Sequence, residues 1–340
     1  MKAAVFYGME QGIRVEQVPD PQPGPGDVLV RVAACGLCHT DLHYIDHGTP
    51  TFQPPPIILG HEISGTVAAV GGEVTEWQPG DRVLLPAVVS CGTCCMCRTG
   101  RENICMRQRM FGNHMHGGYA EYVIAPARDL FALPETVPLA EGAIIADALT
   151  TPYHAVIHRG EVRPGDTVAV LGCGGIGLNV VQMAHLVGAQ VIAIDIVDRK
   201  LELARQLGAA ETINARTVDA VEKWVRKRTD GGADVVFECI GHPQTQVQAL
   251  RMVRTGGRVV FVGFSPEPAT LPTGRVMFRE IEIRGTLGCR PVDYPRVIEL
   301  VAGGRLQLHP LISHRFSLDD IHAGLDALRR GDVIRAIVIP

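Results

Sequence analysis

The hydrophobic rhythm of the chain changes twice. Up to about residue 148, apolar residues come in short runs: KAAVFYG, DVLVRVAAC, EISGTVAAV, DRVLLP and GYAEYVIAP. Turn signals such as PGPGD and QPGD separate them, which predicts a strand-and-turn unit. From 149 to about 288 the period lengthens. Apolar runs at Thr167–Leu171, Val191–Asp195, Ala233–Cys239 and Arg258–Val262 alternate with helix-like segments at Ile176–Val187, Asp198–Leu207, Thr217–Arg228 and Gln244–Val253. Strands alternating with helices predict βαβ units around a parallel sheet. Residues 289–340 hold two amphipathic stretches and a closing strand, IRAIVIP. The expected fold class is α/β: a β-rich unit plus a doubly wound parallel sheet.

Composition narrows the function classes. At 340 residues, 46% hydrophobic and 20% charged, the chain reads as a soluble protein of one large or two ordinary domains. No run of eighteen apolar residues predicts a membrane span, and the opening MKAAVFYGMEQG lacks the features of a signal peptide. The net charge of −4, with scattered basic residues, gives no nucleic-acid footprint. The expected location is the cytosol, where ten cysteines point to metal or catalysis before disulfides.

The stretch DTVAVLGCGGIGLNVVQMA supplies the first chemistry. It reads as a strand, then Gly172-x-Gly174-x-x-Gly177, then a helix. Gly172 makes the tight turn, Gly174 lets the backbone approach a pyrophosphate, and Gly177 lets the helix pack close to the sheet. The helix N-terminus then offers free N–H groups to the phosphates. Asp195 ends the next strand, eighteen residues past Gly177. A carboxylate there accepts from ribose hydroxyls and repels the 2′-phosphate of NADP, so NAD is the expected cofactor, although Arg199 and Lys200 lie nearby.

The stretch CGTCCMCRTGRENIC supplies the second. Cys91, Cys94, Cys97 and Cys105 follow the spacing C-x₂-C-x₂-C-x₇-C, which lets four thiolates converge on one tetrahedral ion. Four thiolates leave no open position, so the expectation is a structural zinc. An iron–sulfur run closing on x₃-Cys-Pro fits less well. Interleaved Gly and charged residues argue against a set of buried thiols. Cys95 is left over, beside the metal loop.

Upstream, CGLCHTDLHYIDHG and LGHEISG gather Cys38, His39, Thr40, Asp41, His43, His61 and Glu62, the residue types of a catalytic zinc. Each taken singly is as readily a buried thiol or a satisfied histidine. With CGLCHTD, GHE, the four-cysteine loop, LGCGGIG and AID in this order, the chain resembles the zinc-dependent medium-chain alcohol dehydrogenases over essentially its whole length. The resemblance implies a GroES-like catalytic domain from residues 1–148 and 289–340 around a Rossmann domain at 149–288. Cys38 and His61 then match the first two catalytic zinc ligands. Many members have a third cysteine, but here IIADALTTPYHAV places Asp147 at that position, as in a bacterial Cys/His/Asp branch. Thiolate, neutral imidazole and carboxylate neutralise Zn²⁺ as two thiolates and a histidine do.

The same resemblance implies the remaining roles. Glu62 lies beside the ligands or joins them on exchange, and Asp41 orients His61. Thr40 contacts the alcohol, and His43 ends the proton path. His39 stands where a pyrophosphate-binding Arg is common, which implies faster NADH release, and Arg335 matches a late pyrophosphate Arg. Gly172, Gly174, Gly175, Ile176, Gly177, Asp195, Lys200, Val262 and Leu287 complete the expected cofactor contacts. The implied reaction is alcohol oxidation to aldehyde or ketone, or its reverse, by hydride transfer to NAD. It uses two zincs per chain, a small-molecule substrate, and a homotetramer or dimer. A polyol, amino-alcohol or hydroxyacyl dehydrogenase of the same family stays open, as does a redox-silent protein that binds NAD and zinc.

Overall fold

The computed structural model describes all residues, Met1–Pro340. The chain forms two compact units, Met1–Thr150 with Gly288–Pro340, and Thr151–Leu287. No helix is long and apolar enough to cross a membrane.

The first unit is built on a seven-stranded sheet. Its spine is the long strand Asp27–Leu37, whose buried and exposed positions alternate along its first half and then become continuously buried. That strand pairs antiparallel with Glu62–Val70, Tyr122–Pro126 and Arg335–Ile339. The last of these lies beside its final residues, Ala336 opposite Leu37. Gly36 lies opposite Glu62 on the other side. The end of the spine is thus where segments from the beginning and the end of the chain meet, and Cys38 follows it directly. Buried apolar residues from both segments, among them Leu37, Ile63, Tyr119, Ile321 and Val338, share one core.

The second unit holds a six-stranded parallel sheet. Its order is Glu211–Asn214, Gln190–Asp195, Thr167–Leu171, Ala233–Glu238, Val253–Phe261 and Glu282–Gly285. Numbered along the chain this is 3-2-1-4-5-6, the doubly wound dinucleotide-binding order. The central strand Thr167–Leu171 is buried over its last four residues, as expected for a strand covered on both faces. The glycine-rich turn leads into the helix Gly175–Val187, which Gly188 ends in a left-handed conformation.

Three departures from the sequence reading have local causes. The helix expected from Thr217 begins at Val221, because the Asn214 side chain accepts from Arg216 N and Thr217 Oγ1 donates to Asn214 O, forming a turn. Val253 belongs to the strand after its helix, not to the helix itself. The edge strands ETIN and EIRG carry no apolar run for a periodicity search to find, which is typical of protected sheet edges.

One contact links this architecture to the site below. Tyr294, fully buried on the C-terminal segment, donates its hydroxyl to Ala146 O at 2.8 Å and stacks on Phe131 at 4.7 Å. Thr150 Oγ1 donates to the same carbonyl at 3.0 Å, so the backbone entering Asp147 is held from two directions. Tyr294→Phe is expected to lower stability by about 1 kcal/mol, the net contribution of a typical hydrogen bond, measured as a shift of the urea midpoint at constant slope.

Candidate metal and cofactor sites

Cys38 is the residue before the helix His39–Ile45, and its burial follows from its place at the end of the central strand. His61 comes from the turn into the strand Glu62–Val70. Asp147 ends the 3₁₀ segment Glu141–Ala146. The donor atoms of Cys38, His61, Glu62 and Asp147 all lie within 4.8 Å of one another. His61 Nε2 is 3.8 Å from Asp147 Oδ2, and His61 Nδ1 is 3.7 Å from Asp41 Oδ1.

Asp41 aligns these segments. Fully buried, it accepts from Cys38 N at 3.3 Å, Gly60 N at 3.3 Å and the Tyr119 hydroxyl at 2.8 Å. Gly60 takes φ +92°, and a Cβ there would meet Cys35 Sγ at 2.7 Å and the Tyr119 ring at 2.8 Å. Only glycine lets the turn carry His61 this close. Tyr119 and Gly60 were not among the expected site residues, although they belong to the apolar run GYAEYVIAP and the motif LGHEISG.

The donor set fits a divalent metal. Both ring nitrogens of His61 are buried with no hydrogen-bond partner, an arrangement that costs free energy unless something binds there. Burial pushes the His61 pKa down, yet Asp41, Asp147 and Cys38 together hold it well above its ordinary value. The two carboxylates favour positive charge at this point, and a ring proton or a metal cation supplies it. One soft thiolate, one imidazole and one carboxylate suit zinc.

Glu62 lies behind the ligands. It is fully buried, and burial pushes its carboxyl up to about 7 against the opposing pull of Arg335. Arg335 Nη2 pairs with Glu62 Oε1, while Arg335 Nε and Glu62 Oε2 have no hydrogen-bond partner. Arg335, expected at a pyrophosphate, is therefore a buried side chain with part of its donor fork committed to Glu62.

The helix His39–Ile45 sets out the expected proton path. Thr40 Oγ1 lies 3.5 Å from Cys38 Sγ. His39 is exposed at the first position, and His43 is half-buried one turn later. His43 Nδ1 and His47 Nδ1 are 3.0 Å apart.

The second unit gathers the cofactor candidates at the carboxyl edge of its sheet. Gly172 takes φ +96°, and a Cβ on Gly177 would lie 1.7 Å from Gly172 O, so the helix could not approach the turn. A Cβ on Gly174 would meet nothing within 4 Å, which leaves the backbone open on that side. Gly175 and Ile176 form the first turn of the helix. Asp195 Oδ2 accepts from Cys173 N at 2.7 Å, and its Oδ1 accepts from Ile196 N and Val197 N at 2.8 and 3.0 Å. The carboxylate thus braces the glycine-rich turn. Lys200 lies in the first turn of the helix Asp198–Gln206. Val262 and Leu287 follow the ends of two further strands, where open α/β sheets bind ligands.

The sulfurs of Cys91, Cys94, Cys97 and Cys105 form a separate cluster, with Cys94 Sγ 3.5 Å from Cys97 Sγ and 3.7 Å from Cys105 Sγ. Backbone N–H groups, first that of Thr93, hold the Cys91 thiol down at about 5. Cys95 points away, its Sγ 3.6 Å from Met106 Sδ at the exposed surface. All ten cysteines are unpaired.

Known proteins resemble this chain over its whole length. Residues 24–135 match the alcohol dehydrogenase GroES-like domain and residues 175–303 match the zinc-binding dehydrogenase domain. An alcohol dehydrogenase of Geobacillus stearothermophilus is 35% identical over 340 residues, covering 100% of this chain and 99% of that one. An L-threonine 3-dehydrogenase of Bacillus licheniformis is 35% identical over 346 residues, at 100% and 99% coverage. Among solved structures, a zinc-binding dehydrogenase of Sinorhizobium meliloti 1021 bound to NADP superposes with a TM-score of 0.91 and 36% identity, covering 100% of this chain and 99% of that one.

The geometry of the cysteine loop predicts that Cys94→Ser and Cys97→Ser each lose one zinc per chain, while Cys95→Ser keeps the full content, read by atomic emission on dialysed protein. If Cys94→Ser retained more metal than Cys97→Ser, Cys95 would be serving as a substitute ligand.

Proposed function

The chain belongs to the zinc-dependent medium-chain dehydrogenase family, and from that starting point we propose that it oxidises an alcohol to an aldehyde or ketone, and runs the reverse, with NAD as the coenzyme. The observation that carries this reading is the convergence of Cys38, His61 and Asp147 around an imidazole whose two nitrogens lack hydrogen bonds. Zinc on those three ligands supplies Lewis-acid activation of a hydroxyl or carbonyl oxygen, and NAD on the Gly172–Gly177 turn supplies the hydride acceptor.

The side chains do the rest. Asp41 fixes the His61 ring, so that its orientation is set before substrate arrives. Thr40, beside the Cys38 sulfur, takes the substrate hydroxyl proton and passes it on toward His43. Burial and the nearby His47 push the His43 pKa down, so its ring is neutral and ready to accept at neutral pH. Asp195 favours NAD by placing a carboxylate at the adenosine ribose, where a 2′-phosphate would meet like charge. His39 and the uncommitted donors of Arg335 serve the pyrophosphate, with His39 a weaker anchor than the arginine it replaces. The enzyme is cytosolic and homo-oligomeric in this reading.

A second reading has a specific support. The threonine dehydrogenase relative is as similar as the alcohol dehydrogenase, which keeps amino-alcohols and polyols open as substrates.

A panel of primary, secondary, cyclic, polyhydroxy and amino alcohols, each with NAD and NADP, tests the proposal. Simple alcohols are expected to give the highest kcat/KM, with NAD preferred about tenfold or more. Asp195→Ser is expected to narrow that preference. Asp147→Ala, which removes one of the three protein ligands, is expected to abolish tight zinc binding at this site and turnover with it. Equal kcat/KM for the two coenzymes would remove the NAD assignment. A clear preference for threonine or a polyol would favour the second reading, and full turnover after zinc removal would end the first.

A further inference from the structure

His43 and His47 face each other where the helix His39–Ile45 ends at the surface. We propose that His47 is the outer station of the proton path, taking the proton from His43 and delivering it to water; this rests on the relay role given to His43 above. Two Nδ1 atoms 3.0 Å apart are within hydrogen-bond distance, and two facing ring nitrogens can hold that distance only if one carries a proton and the other accepts it. The pair therefore shares one Nδ1 proton, and in the relay a proton enters His43 at its other nitrogen, Nε2.

Exposure rises along the path. Cys38 is buried, Thr40 and His43 are half-buried, and His47 is exposed. The helix His39–Ile45 sets Thr40 and His43 three residues apart on one face, and His47 follows four residues later, just past the helix end. Asp46, between the two histidines in sequence, is held by Arg329 through two contacts of 2.8 Å. That fork neutralises the carboxylate and keeps it from trapping a proton on either ring.

The proton count balances. A proton arriving at His43 Nε2 makes the ring cationic, and its Nδ1 proton crosses to His47 Nδ1. His47, now protonated on both nitrogens, releases its Nε2 proton to water. Exchange with water at both rings, His47 exposed and His43 half-buried, returns each proton to its starting nitrogen and resets the tautomers. The pair carries one added proton at a time, because two positive rings this close together repel. Carbonyl reduction runs the same path inward.

The test is proton release during a single turnover of the zinc-loaded, NAD-bound enzyme, followed with a pH-indicator dye in weak buffer. The substrate is the best alcohol of the panel above. Wild type, His47→Gln and His43→Gln are compared after zinc content and Tm are shown to be equal. His47→Gln is expected to slow release about tenfold, with added imidazole restoring the rate. NMR titration should also find the His43 pKa higher in His47→Gln, because a repelling neighbour is gone. That would move the acidic limb of kcat/KM to higher pH, whereas slower release and its rescue by imidazole report on the relay itself, which a purely structural role for His47 would leave unmoved. Unchanged release in His47→Gln overturns the inference. If His43→Gln still slows release in that case, the relay through His43 stands without its outer station, whereas if neither variant slows it, the relay reading fails as well.

Discussion

The candidate metal site depends on one buried carboxylate. Asp41 has no exposed surface, and an unpaired charge in such a place would cost several kcal/mol. Its negative charge is satisfied by the Cys38 N–H, the Gly60 N–H and the Tyr119 hydroxyl, which come from three separate stretches of chain. The folded state can bury Asp41 only by bringing these three together. In doing so it places Cys38 and His61, twenty-three residues apart in sequence, on the same point. Ligand placement is thus a by-product of solving an electrostatic problem one layer further in.

The charges around that point form an uneven balance. Asp41, Asp147 and the Cys38 sulfur converge on one point, with Glu62 behind them paired to the buried guanidinium of Arg335. Fixed anions held in low dielectric favour a bound cation strongly and disfavour an apolar occupant. The cysteine loop solves a different problem. Its sulfurs lie near the surface, and backbone N–H groups contribute to their stabilisation. Four matched donors close that site, whereas three donors of mixed type leave the inner one open.

Much of this was legible in the sequence, and the line between legible and hidden is physical. The glycine-rich turn, Asp195 and the four cysteines are local patterns, where spacing alone sets which atoms meet. The βαβ rhythm was equally local, and its central strands and helices fell where the apolar runs placed them. The Glu62–Arg335 pair spans 273 residues, and the hold of Tyr294 on Ala146 spans 148; neither leaves a trace in any window of sequence. Tyr119 was hidden for another reason: in GGYAEY it reads as one more apolar strand residue, and only the fold reveals that its hydroxyl faces a carboxylate. The edge strands were missed because the charges that protect them also erase the hydrophobic pattern.

The pairing of Ala336 with Leu37 has a consequence for how the molecule is assembled. It closes a loop of roughly three hundred residues, among the most entropically expensive contacts the chain makes, although that cost grows only logarithmically with length. The Thr151–Leu287 unit is contiguous and needs no partner from elsewhere in the chain to complete its sheet. Once that unit is compact, the free chain between the two pairing strands is much shorter, and the late strand has less configurational space to search. The contiguous unit can thus complete its sheet without the rest of the chain, whereas the metal-binding unit cannot close its own until the last strand has been made.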